Sequence, residues 1–427
     1  MTAVEDRVAV TTTEAPTRLR PWMLVAAGMF AVAWGGNEFT PLLVMYRLEH
    51  GFSQVMVDTF LFAYVLGIVP ALLLGGPLSD RLGRRPLMLP APFIAVAGSV
   101  VLAAGSESAA SLIVGRILSG VALGLGMAVG GSWLKELSTP DRDPSARPGS
   151  GARRAAMSLT AGFGIGAGVA GVLAQWAPWP NVLPYAVHST LALVAGVALR
   201  QVPETRAATQ ADTIGSFTQG LRIPSAGHRR FLYVVAPVAP WVFGAAASAY
   251  AVMPALMTSR SGGVPVAFSA LLCMIALGSG FAIQALGRRI DTPRNGRAIA
   301  VAFGVLVLGM SVAAVASGVL TVPMSMVAAA VLGCGYGLAL VSGLLEVQRI
   351  AGPDDLAGLT AVFYSLSYLG FALPAVMAVI TEANPALTYP LMFAVGAIAA
   401  LASLALVLVK WRRYLPEPAG DMASERG

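Results

Sequence analysis

Twelve long apolar runs follow one another along this chain, at roughly 22–46, 57–79, 86–105, 109–134, 155–177, 183–201, 231–257, 265–287, 297–317, 321–345, 356–381 and 388–411. Each is about 20 residues long, the length of a helix that crosses the hydrocarbon core of a bilayer. The runs are continuous rather than alternating, which argues against the two-sided strands of a membrane barrel. In lipid every backbone N–H and C=O must be satisfied within the protein, and a helix does this alone. Only 11% of residues are charged and the mean hydropathy is +0.74, against about a quarter charged in soluble domains. The expected fold is therefore an all-α polytopic membrane protein with twelve transmembrane helices.

The formal net charge of +7 is distributed in a way that speaks for topology and against nucleic acid. With the N-terminus inside, all but Arg47, Arg116 and Arg260 of the 28 basic residues fall on the cytoplasmic side. The positive-inside rule then places both termini in the cytoplasm and the chain in the inner (plasma) membrane. The run that begins at Trp22 follows Arg18 and Arg20; it is too long for a signal-peptide core and lacks a small-residue cleavage site. Cys273 and Cys334 both lie in apolar runs, which speaks against a disulfide framework or thiol metal site. The expected organisation is a disordered tail (1–20), a six-helix bundle (21–202), a linker (203–230), a second six-helix bundle (231–414) and a tail (415–427). Within the linker, Thr213 to Leu221 is a candidate surface helix. The expected partners are the bilayer and a small-molecule substrate, and the architecture requires no more than a monomer.

Three pairs of segments echo each other between the halves. GPLSDRLGRR (Gly76 to Arg85) returns as GFAIQALGRR (Gly280 to Arg289), GLGMA (Gly124 to Ala128) as GYGLA (Gly335 to Ala339), and VPET (Val202 to Thr205) as LPEP (Leu415 to Pro418). Parallel repeats of this kind, related by an axis along the membrane normal, place a substrate site between the halves near mid-membrane. GPLSDRLGRR resembles the loop signature of the major facilitator superfamily. LIVGRILSG (Leu112 to Gly120) is similar to that superfamily's fourth-span arginine motif, and VPET to its sixth-span ending. The resemblance runs from about residue 20 to 418. It implies two pseudo-symmetric six-helix bundles, alternating access, no cofactor and a proton gradient as energy source. The features look most like drug/proton antiporters.

In the loop, Arg81, Arg84 and Arg85 follow a helix C-terminus, where cations are favoured. Gly76 and Gly83 are small, and Gly76 leaves room for a neighbouring helix. Asp80 can face the positive N-terminus of another helix. The resemblance implies that these residues latch one half to the other and hold an outward-facing state, although arginines in such loops also serve topology alone. The second copy has Gln284 and Ala285 in place of Asp80 and Arg81, so a latch there is expected to be weaker.

Glu38 and Arg116 are ionisable groups within spans, which marks them as functional candidates. By helical rise both lie about 13 Å below the outer ends of their helices, so they are expected to pair across a cavity and carry proton coupling. A static ion pair, or Glu38 binding a cationic substrate, are the other readings. Trp34 and Asn37 flank Glu38, and Pro41 is expected to kink the first helix. Trp241, Tyr250, Tyr336, Tyr364 and Tyr368 are further cavity candidates, with Ser365, Ser367 and Gln348 as lesser ones. Gly120 and Gly124 in the fourth span, and Gly162, Gly166 and Gly171 in the fifth, read as helix-packing glycines. The fifth-span run resembles the antiporter signature, with Ala167 where its proline is expected. His188 reads as a packed histidine, and Glu346 as a carboxylate that snorkels to the interface.

The expected function is proton-coupled efflux of small amphipathic compounds, such as drugs or secondary metabolites. The alternative is uptake of a sugar, organic acid or other metabolite. With no HExxH helix, no clustered histidines and no P-loop in the sequence, an enzyme or an ATP-driven pump is disfavoured.

Overall fold

The computed structural model describes residues 19–206, 222–292, 296–352 and 355–411. The candidate surface helix in the linker, the LPEP run and both tails lie outside the described residues, apart from Leu19 and Arg20. Ten helices are long and apolar enough to cross a membrane, and a shorter apolar one, Leu183–Leu199, stands sixth in order. The remaining span is the first. It is broken into Pro21–Asn37 and Phe39–Glu49, because Pro41 has no N–H to offer the carbonyl of Asn37. The broken turn falls on Glu38, beside the expected kink.

Helices pack at close range through small residues, since lipid provides no hydrophobic drive between them. A Cβ on Gly124 would lie 2.6 Å from that of Ala71 in the second span, Gln54–Leu82. Gly120 abuts the Tyr64 carbonyl there, while Gly162 and Gly166 seat the fifth span, Ser150–Trp176, on Phe30 and Trp34 of the first. Gly171 meets Ala270 and Gly168 meets Met274 of the eighth span, Pro265–Ile290. The fifth span thus rests on the other half of the chain. On the opposite side, the second span packs on the eleventh, Leu356–Ala383.

Gly76 behaves differently from expectation: nothing lies within 4 Å of where its side chain would begin. The close approaches are made instead at Gly67, against the Ile117 carbonyl, and at Gly75, 3.2 Å from Ala128.

Candidate functional site: a closed chamber, an open vestibule and a buried acid

The cavities describe one conformation. At the far side from the loop motifs, Arg47 in the first span bonds Gln54 (2.8 Å), Thr258 (3.1 Å) and the Ala255 carbonyl (3.4 Å). Gln175 accepts the Val266 and Ala267 N–H groups at the start of the eighth span. These contacts join the two halves and leave a void of only about 10 Å³ between them. At mid-depth lies a chamber of about 30 Å³, room for about one water. On the side carrying Arg84 and Arg288, called here the basic side, a vestibule of about 350 Å³ opens.

The chamber is an aromatic box. Phe243 stacks on Tyr368 (ring centroids 4.4 Å apart) and on Phe371 (5.1 Å), and Tyr64 meets Tyr368 edge-on at 6.1 Å. Asn37, Tyr250, Tyr336 and Arg116 complete its wall. Tyr336, Tyr364 and Tyr368 also line the vestibule, with Thr160, Gln284, Arg288 and Gln348 as its other polar groups. Trp34 lines neither space; its ring packs edge-on to Phe30 at 5.8 Å. Trp241 lines neither as well, and Ser365 and Ser367 bond carbonyls of their own helix. Tyr64, Phe243 and Phe371 were not singled out from the sequence. Aromatic residues on an apolar helix look alike whether they face a cavity or a neighbour, so no periodicity separates them.

The expected pair of Glu38 and Arg116 is not formed. Arg116 is 1% exposed and donates to two main-chain carbonyls, Gly36 (3.2 Å) and Phe60 (3.4 Å). Its guanidinium lies over the rings of Tyr64 (4.5 Å) and Phe39 (4.7 Å), a stacked arrangement that attracts a cation to the ring faces. No carboxylate lies within 4 Å of it among the described residues. Glu38, fully buried, instead accepts from Ser99 Oγ of the third span (2.9 Å) and lies 3.2 Å from His188 Nδ1 of the sixth. The reason is rotational. Successive residues turn 100° about a helix, so Gly36 and Asn37, toward the chamber, leave Glu38 on another face.

Asp80, Arg84 and Arg85 of the loop motif are bound within the first half and the start of the linker. Arg84 is 6% exposed and reaches Glu136 at the end of the fourth span (2.8 Å), Asp80 (2.7 Å) and Ser79 (3.1 Å). Asp80 also takes Arg206 (2.9 Å). It therefore faces two arginines and not the helix N-terminus expected of it. Gly83 breaks the chain between the second and third spans at φ +100°, and a Cβ there would lie 2.6 Å from Glu204 Oε2. Glu204, the acid of VPET, accepts the N–H groups of Arg84 (3.1 Å) and Arg85 (2.9 Å), and so caps the third helix. Its burial would raise its carboxyl, but N–H bonds from Arg206, Arg85, Arg84 and Thr205 hold it below the usual range. Arg85 also donates to the Arg200 carbonyl. These contacts of Asp80, Arg84 and Arg85 stay within the first half and the start of the linker.

Glu346 does not snorkel. It is 2% exposed and forms a two-pronged pair with the buried Arg230 (2.7 and 2.9 Å). Arg349 bonds Glu346 at 2.8 Å and also Asp291.

The chain as a whole has relatives. The chain is 26% identical to a chloramphenicol resistance protein of Pseudomonas aeruginosa over 334 residues, covering 78% of this chain and 77% of that protein. It is 26% identical to a gallate transporter of Pseudomonas putida, covering 68% and 70%. Among solved structures, the POT family transporter PepTSo superposes with a TM-score of 0.73 at 13% identity, over 93% of this chain and 99% of that one. The nucleoside transporter NupG gives 0.69 at 13% identity, over 91% and 99%. Likeness at such low identity speaks for the fold alone. Residues 23–375 match the family model of the Major Facilitator Superfamily, and the chain belongs to that superfamily: a polytopic membrane transporter of twelve spans in two bundles.

Proposed function

We propose that this chain is a proton-coupled exporter of small amphipathic compounds, working by alternating access as a monomer in the plasma membrane with its basic side in the cytoplasm. The observation that carries the reading is the vestibule. It opens on the basic side, its volume of about 350 Å³ suits a small molecule, and its wall is mainly apolar and aromatic with a few amides and one arginine. A cytoplasmic compound would enter there, move into the aromatic box as the halves rock, and leave when the seal at Arg47 parts. Glu38, buried in a span and away from the chamber, would couple the cycle to protons. The likeness to a chloramphenicol resistance protein supports export.

Uptake of an organic acid is the second reading. Arg116 faces the chamber without a carboxylate partner among the described residues, so one negative charge on a substrate would find a counter-ion there. The likeness to a gallate transporter favours this alternative.

The test is transport in proteoliposomes with an imposed pH gradient, using chloramphenicol and gallate as first compounds and Glu38→Gln alongside. Export predicts that chloramphenicol moves against the proton gradient and that proton movement vanishes in the Gln variant. Uptake of gallate together with protons would favour the second reading. Movement of either compound without protons in the wild type would replace both with facilitated diffusion.

A further inference from the structure

Behind the first span, away from the chamber, three buried side chains from three helices form a closed chain of contacts. His188 Nε2 lies 3.0 Å from the Ala31 carbonyl, His188 Nδ1 lies 2.7 Å from Ser99 Oγ, and Ser99 Oγ lies 2.9 Å from Glu38 Oε1. All three residues are 0% exposed. Gly35 makes the arrangement possible, because a Cβ at that position would fall 2.6 Å from His188 Nε2.

Counting hydrogens decides the state of this chain. Each of these three contacts needs one hydrogen between its heavy atoms, and Nδ1 also lies 3.2 Å from Glu38 Oε1, so a hydrogen on Nδ1 is shared between the serine and the acid. The carbonyl of Ala31 can only accept, so Nε2 must carry a hydrogen. A neutral imidazole then has none on Nδ1, the serine hydroxyl supplies one, and an ionised carboxylate supplies none. Two hydrogens cannot fill three contacts, and lone pairs would face each other across one of them. One further proton closes the set. It can sit on Nδ1, with Ser99 donating to the Glu38 carboxylate. Equally, it can sit on Glu38, which donates to Ser99 while Ser99 donates to Nδ1. Passing between the two forms shifts one hydrogen onto the serine and another off it, and both forms are neutral overall. Glu38 Oε2 has no donor among the described residues, which favours the form with the proton on the acid.

The geometry points to Glu38, Ser99 and His188 as a three-member relay that holds one exchangeable proton, and to this conformation as its loaded form. The inference rests on the proposed proton coupling and adds two residues to it. Loss of the proton leaves a net negative charge and forces one contact open, so the unloaded state must rearrange these side chains where the first, third and sixth spans meet. That gives proton release a structural consequence. Ser99 lies beneath an apolar crevice of about 460 Å³ between the third and sixth spans, apart from the substrate chamber. The other ionisable groups facing Glu38 are Tyr46, Tyr185 and Arg116. The two tyrosine hydroxyls bond each other at 2.8 Å, and Arg116 is held by the Gly36 and Phe60 carbonyls.

The experiment is proton release from purified full-length protein in detergent, followed with an indicator dye during a pH titration. It is paired with the pH profile of transport in proteoliposomes. Wild type should release one proton that both Glu38→Gln and His188→Gln lack. Ser99→Ala should move the transport profile by about one pH unit or more, and Ser99→Thr, which keeps the hydroxyl, should restore it. The relay is overturned if Glu38→Gln removes the proton while His188→Gln and Ser99→Ala retain the wild-type titration and profile. If wild type transports without moving protons, the coupling reading fails, and the detergent titration still decides whether the relay exists.

Discussion

The two halves solve the same problem at the basic side with different residues. In the first half, Arg84 from the loop motif is spent on the network, gripping Glu136 at the end of the fourth span, with Glu204 capping the third helix. In the second half the acid comes from Asp291 and the bases from Arg349 and Arg230, which converge on Glu346 at the end of the tenth span. The second copy's Arg288 is left to line the vestibule. The backbones differ to match: the second span breaks at Gly83, whereas the eighth runs on through Gly287 to Ile290. A repeated sequence motif has thus kept its place and changed its work. One copy fastens helix ends, and the other presents a charge to whatever enters.

The comparison can be broken by substitution. The largest effect is expected for Glu346→Gln, which leaves Arg230 buried without a full counter-charge. Breaking a buried pair in this way costs about 3–5 kcal/mol, and should appear as a large fall in melting temperature in detergent. Next comes Gly83→Ala, which places a Cβ at φ +100° and against Glu204. It should cost about 1–3 kcal/mol from the glycine-only backbone conformation alone. Gly287→Ala, inside a regular helix, carries no such backbone strain, and its cost comes from the 2.5 Å approach of the new Cβ to Val341 Cγ1. Val341→Ala should therefore relieve Gly287→Ala, whereas trimming Glu204 should leave Gly83→Ala strained; if both are relieved in full, the proposed difference between the copies is wrong. Glu204→Ala removes a helix cap and should cost about 0.5–2 kcal/mol, with no change in the eighth or ninth span by hydrogen exchange.

The smallest effect concerns pH. Asp143, in the loop after the fourth span, is held down to about 2 by its hydrogen bond from Ser145 and by Arg154, which it bonds at 2.6 Å. A carboxylate whose folded pKa lies below its unfolded value stabilises fully above the unfolded pKa, about 4. That contribution is lost as pH falls from about 4 toward 2. Asp143→Asn should therefore lower the melting temperature slightly at neutral pH, where the contribution is whole, converge with wild type as pH falls toward 2, and so flatten the acid limb of the profile.

Much of the fold could be read before any coordinates, because lipid demands apolar runs of one length and those runs are unmistakable. Span ends fell close to their expected places, as at Ala109 and Pro265. The site was legible in kind but not in pairing. Glu38 stood out because an acid inside a span is expensive. Its partners did not, because the first span is apolar all round and gives no clue to which way any one residue points. Ser99 and His188 also lie far along the chain from it, on helices of the same character. Asp80 was read as facing a helix end because Arg206, its second partner, lies in a polar segment with no periodicity to place it. Glu346 misled for a related reason: a carboxylate near a span end has water within reach, and only the arginines folded onto it keep it dry.

The seal around Arg47 has a kinetic meaning. Its polar part consists of a few neutral acceptors, an amide, a hydroxyl and a carbonyl, each worth about 1.5–3 kcal/mol to a charged donor and each replaceable by water. No carboxylate is locked against the arginine among the described residues. A clasp of this sort gives way bond by bond as water enters, without the steep barrier of separating opposite charges in a dry place. The far gate is therefore built to yield readily, and the slow step of the cycle should lie elsewhere, in unstacking the rings that fill the middle.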